Sequence, residues 1–178
     1  MALKALLGEP AISVVGKLDG VDQLVVIEAA ALKHVQRHRQ TKPTSTEAGG
    51  QLFGTIERSR IRVLSATGPY IGDERERFRY RSNPTYAQRA IDRQAARGHL
   101  YLGEWHTHAE DTPNSSSLDH DAMNKLIASS RLNSNGLLML IVGRLPSEQG
   151  IALWSVSPQR VSAWSLARAD APPDSGVG

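Results

Sequence analysis

The sequence predicts one mixed α/β domain, in which strands and helices interleave along the chain. Two observations lead to this fold class. Short apolar runs of strand length alternate with segments whose apolar residues recur at helical spacing. The chain also has 178 residues, and at that size a folded protein buries roughly two-thirds of its unfolded surface. We expect the domain to span 1–168 and a flexible tail to follow at 169–178, where Pro, Gly, Asp and Ser replace apolar residues.

The first part of the chain predicts a strand, a helix and a hairpin. The apolar run at 25–27 predicts a buried strand. The segment 28–40 follows with apolar residues at helical spacing, and it predicts a helix that ends before Pro43. Residues 49–56 and 61–64 predict two strands joined through a short polar segment, which is the pattern of a hairpin.

An arginine then occupies every second position of the segment 75–81. This period of two predicts a strand near a sheet edge, with one cationic face and one partly aromatic face. A solvated cationic face is the simpler interpretation. The alternative is a surface that grips an acidic patch or the extended C-terminal tail of a protein substrate. The arginines are Arg75, Arg77, Arg79 and Arg81.

The remainder of the chain predicts two helices and four strands. The run at 136–142 is the most apolar and therefore predicts a central strand. The other predicted elements are a helix from Pro84 to Gly98, a strand at 99–108, a helix with the apolar stripe Leu118, Ala122, Met123, Leu126 and Ile127, and strands at 151–156 and 160–164 that close the sheet.

The composition excludes several classes of protein. The chain has no cysteine, so disulfides, thiolate metal sites, iron–sulfur clusters and thiol nucleophiles are absent, and any metal is held by nitrogen and oxygen. No segment has the continuous apolar run of a signal peptide or the ~20 apolar residues of a membrane span, so we expect a cytoplasmic protein with no membrane partner. With 21 Lys and Arg against 18 Asp and Glu, the chain is only mildly basic, and we do not expect nucleic acid to be a partner.

A His-x-His pair marks the candidate site. Residues two apart on a strand point to the same side, so the imidazoles of His106 and His108 can converge on one ion. Asp119, just inside the following helix, adds a carboxylate from a second element. Three such ligands leave a fourth tetrahedral position for water, as in catalytic zinc sites, and bound Zn²⁺ lowers the pKa of that water to about 7.

A hydrolytic site also needs a base for the water proton and a donor for the developing oxyanion. Ser116, three residues before Asp119, suits the second role, although Ser and Asp at this spacing also form a helix-capping arrangement that needs no metal. Glu47 and Glu104 are both candidates for the base, and the residues alone do not separate them. Glu104 shares strand parity with His106, so it could instead support a metal-binding histidine or face a partner or solvent.

The order H-x-H, seven residues, Ser, two residues, Asp matches the JAMM motif, and the chain resembles the MPN/JAB metalloproteases. The segment TEAGGQLFG supplies the upstream Glu, small residues and strand of that family. The resemblance implies a deaminase-like mixed sheet flanked by about three helices. It also implies zinc bound by His106, His108 and Asp119, Glu47 as the general acid and base, and Ser116 as the group that stabilises the tetrahedral intermediate.

The resemblance extends over approximately 21–164, and within the family the chain looks most like prokaryotic JAB peptidases encoded beside ubiquitin-type conjugating enzymes, including the deconjugating peptidase of CBASS antiphage operons. It implies an isopeptidase that removes a ubiquitin-like protein or a conjugated nucleotidyltransferase, held by its extended C-terminal tail. The alternatives are a peptidase that processes a sulfur carrier and a non-catalytic MPN scaffold. Two positions depart from the family pattern, which usually has Pro at both: Ala109 and Ser115.

Overall fold

The computed structural model describes residues 13–132 and 134–169, so the predicted tail lies outside the described residues from position 170 onward. Within these residues the chain forms ten strands and three α-helices. In chain order they are β1 (Val14–Leu18), β2 (Val21–Ile27), α1 (Ala29–Gln36), β3 (Gly49–Ile56), β4 (Arg60–Ala66), β5 (Glu74–Glu76), β6 (Arg79–Arg81), α2 (Pro84–Ala95), β7 (Leu100–Thr107), α3 (Ser117–Ser129), β8 (Leu137–Val142), β9 (Ile151–Val156) and β10 (Val161–Arg168).

Eight of the strands close into a barrel with the order β1-β10-β9-β8-β7-β3-β4-β2. The pairs β2–β4 and β7–β8 are parallel and the others are antiparallel, so the predicted mixed α/β class is confirmed. Closure depends on β1, which pairs with both β2 and β10. Strand β1 was not predicted from the sequence, because Gly16 and Lys17 interrupt its apolar run and its partner β10 lies at the other end of the chain.

Each of the two faces of the barrel wall packs in a different apolar core, an inner one and an outer one. Alternate residues of a strand point to opposite faces, and every residue of β8 is buried, so this strand contributes to both cores. The central position predicted for 136–142 is thereby confirmed. Leu138, Leu140 and Val142 join the inner core, which also takes the buried face of α1. Leu137, Met139 and Ile141 join the outer core, which α3 covers through Met123.

The single strand predicted at 75–81 is wrong, because the chain turns back there and forms a separate hairpin of β5 and β6. Arg79 pairs with Glu76, whereas Arg75 pairs with Tyr80, so the arginines of the two strands lie on different faces. A regular alternation of charged residues does not reveal a turn that contains neither Gly nor Pro. The predicted cationic stripe is therefore divided between two faces of the hairpin.

The three helices are short, and none in the described ranges is long and apolar enough to cross a membrane. The end predicted for the first helix is confirmed, since α1 stops well before Pro43. The apolar stripe predicted for α3 is wrong at Leu118, whose surface is 75% exposed, and at Ala122, which is also exposed. The first turn of α3 is held at the candidate site by capping contacts, and this orientation leaves Leu118 facing solvent.

Candidate active site

The outer face of β7 and the first turn of α3 bring three potential metal ligands together. His106 pairs with Ile141 of β8 and therefore shares the outer face that α3 covers. His108 lies one residue beyond the end of β7, on the same side as His106. Because α3 begins beside this face, Asp119 in its first turn reaches both imidazoles. The convergence predicted from the two-residue spacing is what the structure shows.

The spacing of the ligand atoms suits one tetrahedral ion. The Nε2 atoms of His106 and His108 are 3.1 Å apart, and Asp119 Oδ1 lies 3.1 Å from the first of them while Oδ2 lies 3.6 Å from the second. Ligands at zinc–nitrogen bond lengths with tetrahedral angles are about 3.3 Å apart. The three side chains are only 14–15% exposed. Two ring nitrogens that face each other so closely share one proton or one ion between them, so the residues fit a metal.

The charges of Asp119 and His108 support each other in the metal-free protein. Burial alone would raise the pKa of Asp119, but its hydrogen bonds to His106 and His108 outweigh that effect and hold the pKa well below its usual range. Burial likewise opposes a charge on His108, yet the hydrogen bond to Asp119 and the nearby carboxylates raise its pKa. Without a metal, His108 and Asp119 therefore stabilise each other as a charged pair.

Ser116 closes the ligand group by capping α3. Its backbone N–H and its hydroxyl both donate to Asp119 Oδ2, at 2.7 and 2.8 Å, and its hydroxyl oxygen accepts from the Asp119 backbone N–H at 3.2 Å. This is the capping arrangement that the sequence analysis gave as the alternative to a catalytic role. It fixes the second carboxylate oxygen of Asp119 and places the Ser116 hydroxyl next to the ligand group.

Glu47 lies just before β3, in a buried position. Its side chain is only 6% exposed, and burial raises its pKa to about 7. The nearby charges of His108 and Asp119 act on this pKa in opposite directions, which places the carboxyl within electrostatic reach of both. A carboxyl group with such a pKa exchanges protons at neutral pH, as a general acid and base must.

The backbone of Glu47 is held by the hairpin of β5 and β6. The Glu47 N–H donates to the carbonyl of Glu76 at 2.7 Å, and Arg75 Nε donates to the Glu47 carbonyl at 2.6 Å. The hairpin can approach this segment closely because residue 49, two positions after Glu47, is a glycine. A Cβ at Gly49 would collide with the ring of Tyr80. The small residues after the glutamate therefore permit the hairpin to pack over it.

Glu104, the other candidate base, belongs to a different cluster. It shares the outer face with His106, as the sequence predicted, but its carboxylate accepts hydrogen bonds from Gln51 Nε2 at 3.0 Å and from the Tyr101 hydroxyl. Burial raises its pKa to about 7, opposed by these two hydrogen bonds and assisted by the charge of Asp73. Both oxygens are thus engaged by neighbours outside the ligand group, whereas the charges of that group act on Glu47.

Sequence reasoning missed the residues that position Glu47. Arg75 was noticed only as part of a cationic stripe, and its bond to the Glu47 carbonyl has no signal in the sequence. Gln40 is 1% exposed and Thr107 is fully buried, and they hydrogen-bond to each other beneath the site. For Thr107 the signal was its place between two candidate metal ligands. Gln40 lies far from the motif along the chain, and the sequence contains no signal that would have identified it.

A closed mixed barrel whose outer wall carries a His-His-Asp group able to hold a metal defines the class as a JAB-type domain. The chain belongs to the family described as prokaryotic homologs of the JAB domain, whose model matches residues 28–157. A solved solution structure of a protein from Desulfitobacterium hafniense shares the fold, with a TM-score of 0.55 and 19% identity over 74% of this chain and 84% of that chain.

Two curated relatives share more of the sequence. The chain is 35% identical over 125 residues to a "CD-NTase/cGAS isopeptidase" of Pseudomonas aeruginosa, a match that covers 68% of this chain and 78% of the relative. It is 34% identical over 129 residues to a protein of the same name from Vibrio cholerae, covering 71% of this chain and 80% of the relative. Both alignments span most of each protein.

Proposed function

We propose that this protein is a zinc-dependent isopeptidase, which hydrolyses the amide bond between the C-terminus of a conjugated protein and an amine on its target. The observation that carries the proposal is the juxtaposition of a buried glutamate, Glu47, with the ligand group of His106, His108 and Asp119. A metal-binding group with a nearby base of pKa about 7 is what amide hydrolysis by water requires.

Zinc is the metal that best suits the donors. Two imidazoles and one carboxylate leave a fourth position open, as in catalytic zinc sites. His106, His108 and Asp119 would hold the ion. At this position the ion would supply a Lewis acid for the scissile carbonyl and would lower the pKa of a water molecule to about 7.

Glu47 carries the proton through the reaction. It accepts a proton from the attacking water and delivers it to the nitrogen of the departing amine, so that the C–N bond breaks to give a carboxylate and an amine. Burial supports both steps, because a pKa of about 7 lets the carboxyl hold the proton transiently and release it. The hairpin bonds fix the backbone of Glu47 and so restrict where its carboxyl group can lie.

Ser116 assists the developing oxyanion. Its hydroxyl donates to Asp119 Oδ2 in the structure and lies beside the ligand group, so a rotation about its Cα–Cβ bond redirects the donor. The backbone N–H of Ser116 continues to donate to Asp119 when this happens, which keeps the ligand carboxylate fixed. One side chain thereby serves as a helix cap at rest and as an oxyanion donor during the reaction.

We propose that the conjugated protein is a CD-NTase, on the evidence of the relatives' names, and that its C-terminal tail enters the site in an extended conformation. The enzyme would then reverse, in the cytoplasm, a conjugation carried out by ubiquitin-type enzymes. A ubiquitin-like protein offers the same kind of extended tail and is the other substrate to test.

The test is incubation of the zinc-loaded protein with a CD-NTase, and separately with a ubiquitin-like protein, each joined through its C-terminus to a lysine-containing peptide. Intact mass then gives both the substrate and the cleaved bond. We expect release of the intact C-terminus from the conjugate and loss of cleavage in Asp119→Ala. The matched control is Asp121→Ala, an exposed acid on the same helix. No cleavage of either conjugate, or full cleavage by Asp119→Ala, contradicts the proposal.

A further inference from the structure

Gln40 carries a polar side chain that is buried beneath the candidate site. It follows the end of α1 and is 1% exposed. Its Nε2 donates to the Ser45 carbonyl at 3.2 Å and to the Arg77 carbonyl at 3.0 Å, while its Oε1 accepts from the Thr107 hydroxyl at 3.1 Å. A buried amide is costly unless it is satisfied, so three partners, two of them remote in the sequence, indicate a specific structural task.

Each of these partners belongs to a different part of the site. Ser45 lies two residues before Glu47, in the segment that leads into β3. Arg77 follows Glu76, whose carbonyl accepts the N–H of Glu47. Gln40 therefore contacts both the segment that carries the proposed base and the hairpin that covers it.

Thr107 provides the third connection. Because it stands between His106 and His108, its side chain points to the opposite face of β7, into the protein. Its hydroxyl accepts from the Ala48 N–H at 3.0 Å and its own N–H donates to the Ala48 carbonyl at 2.8 Å. The residue after Glu47 is thus bound on both backbone groups by the residue between the two histidines.

From these contacts we infer that Gln40 is a positioning residue, which acts with Thr107 to fix the distance between Glu47 and the ligand histidines. The inference rests on the proposed role of Glu47. Neither Gln40 nor Thr107 touches the reacting atoms. Their hydrogen bonds connect the base segment, the hairpin and the histidine-bearing strand at one buried point, so a change at that point shifts the base against the metal ligands.

The first test compares Gln40→Ala with Gln94→Ala, another buried glutamine, which bonds to His99 away from the site. We expect Gln40→Ala to lower kcat roughly 10- to 100-fold while KM and zinc content stay unchanged, since small misplacements of a catalytic group have effects of this size. Amide hydrogen exchange in the segment 45–48 should quicken by roughly three- to tenfold. Gln94→Ala should show neither effect.

A second pair of variants keeps the inference testable if Gln40→Ala does not fold. Thr107→Val preserves the shape but removes the hydroxyl, and Thr107→Ser restores it. We expect Thr107→Val to lower kcat and quicken exchange at 45–48, and Thr107→Ser to recover both. A purely structural role would reduce the melting temperature of the two variants without separating their kcat values at a temperature where both are folded.

The decisive arm places Gln40→Ala in a Glu47→Gln background. If Gln40 acts through Glu47, the double variant is no slower than Glu47→Gln alone. Wild-type kcat and unchanged exchange at 45–48 in folded Gln40→Ala would overturn the inference while leaving the proposed function intact. Full activity in Glu47→Gln would instead overturn the proposed role of the base, and the exchange data would still report whether Gln40 holds the segment.

Discussion

The ligand half of the site, His106, His108, Ser116 and Asp119, differs from the base half around Glu47 in how the chain builds it. All residues of the ligand half lie within 106–119, on the end of one strand and the start of the next helix. The base half depends on bonds between residues far apart in the sequence, including those from Glu47 to the hairpin of β5 and β6.

This difference has consequences for chemistry. In the ligand half, Asp119 and His108 each lower the cost of charging the other. The base half keeps a carboxyl in a buried environment that raises its pKa to about 7. A hydrolase needs both conditions close together, and here they are met by separate elements that the buried contacts of Thr107 join. The halves should therefore fail in different ways when mutated.

The largest effect should follow from breaking the ligand half. His106→Ala removes one of three ligands, so we expect loss of stoichiometric zinc and of detectable cleavage. Elemental analysis and intact mass of the products measure the two quantities on one preparation. His120→Ala, a change to a histidine one helical position beyond Asp119, is the control. Retention of zinc and cleavage by His106→Ala would show that the ligand half is assigned wrongly.

Breaking the base half should leave the metal in place. Glu47→Gln preserves shape but cannot take a proton, so we expect kcat to fall about 10²- to 10⁴-fold with zinc content unchanged. Glu104→Gln is the matched control, because Glu104 is also buried with a pKa of about 7 but bonds to Gln51 and Tyr101. If Glu104→Gln shows the larger loss of kcat, the base has been assigned to the wrong glutamate.

Ser116 tests whether the ligand half also contributes to the chemistry. Ser116→Ala removes the helix cap, which costs about 0.5–2 kcal/mol in free energy of unfolding, and we expect it also to lower kcat about 10²- to 10³-fold, as loss of an oxyanion donor does. The matched control is Asn83→Ala, which removes the cap of α2, because the Asn83 side chain accepts from two backbone N–H groups there. Equal kcat values for the two cap variants, measured where both are folded, would limit Ser116 to a structural role.

The pH dependence of stability should have opposite signs in the two halves of the metal-free protein. Glu47 has a raised pKa, so its contribution to the free energy of unfolding is present below about pH 4.5 and is lost as the pH rises to about 7. Asp119 has a lowered pKa, so its contribution is present near neutral pH and is lost as the pH falls. Denaturant titrations between about pH 4 and 8 measure the contribution of Glu47, and titrations continued below about pH 4 measure that of Asp119.

Relative to wild type, Glu47→Gln should therefore gain stability as the pH rises from 4.5 to 7, by about 1–3 kcal/mol. Asp119→Asn should instead be less stable than wild type at neutral pH, and this difference should shrink as the pH falls. Glu57→Gln, on the surface, controls for the removal of one carboxylate. The same sign of pH dependence in Glu47→Gln and Asp119→Asn would contradict the distinction between the two halves.

The sequence was informative where function depends on neighbours along the chain. The two-residue spacing of His106 and His108 predicted their convergence because strand geometry alone determines it, and the position of Asp119 in a first helical turn followed from the capping pattern. The fully apolar run at β8 likewise predicted a strand buried on both faces. These features need no knowledge of the remaining fold.

The base half and the barrel closure could not be obtained in this way. The residues alone did not separate Glu47 from Glu104, since which glutamate meets the ligand group depends on how β3 pairs with β7 and where the hairpin packs. The β1 strand was missed because its partner β10 is remote in the sequence. The single strand predicted at 75–81 was wrong because a turn without Gly or Pro leaves the period of two intact.

The most direct test of the central claim, that the two halves form one zinc-dependent isopeptidase site, is a cycle of metal removal and return on a single preparation. Zinc content and cleavage of a CD-NTase conjugate are measured before chelation, after chelation, and after zinc is restored. We predict about one zinc ion per chain, loss of cleavage with the metal, and recovery with stoichiometric zinc in wild type but not in Glu47→Gln. Cleavage that persists in the metal-free protein would contradict the account.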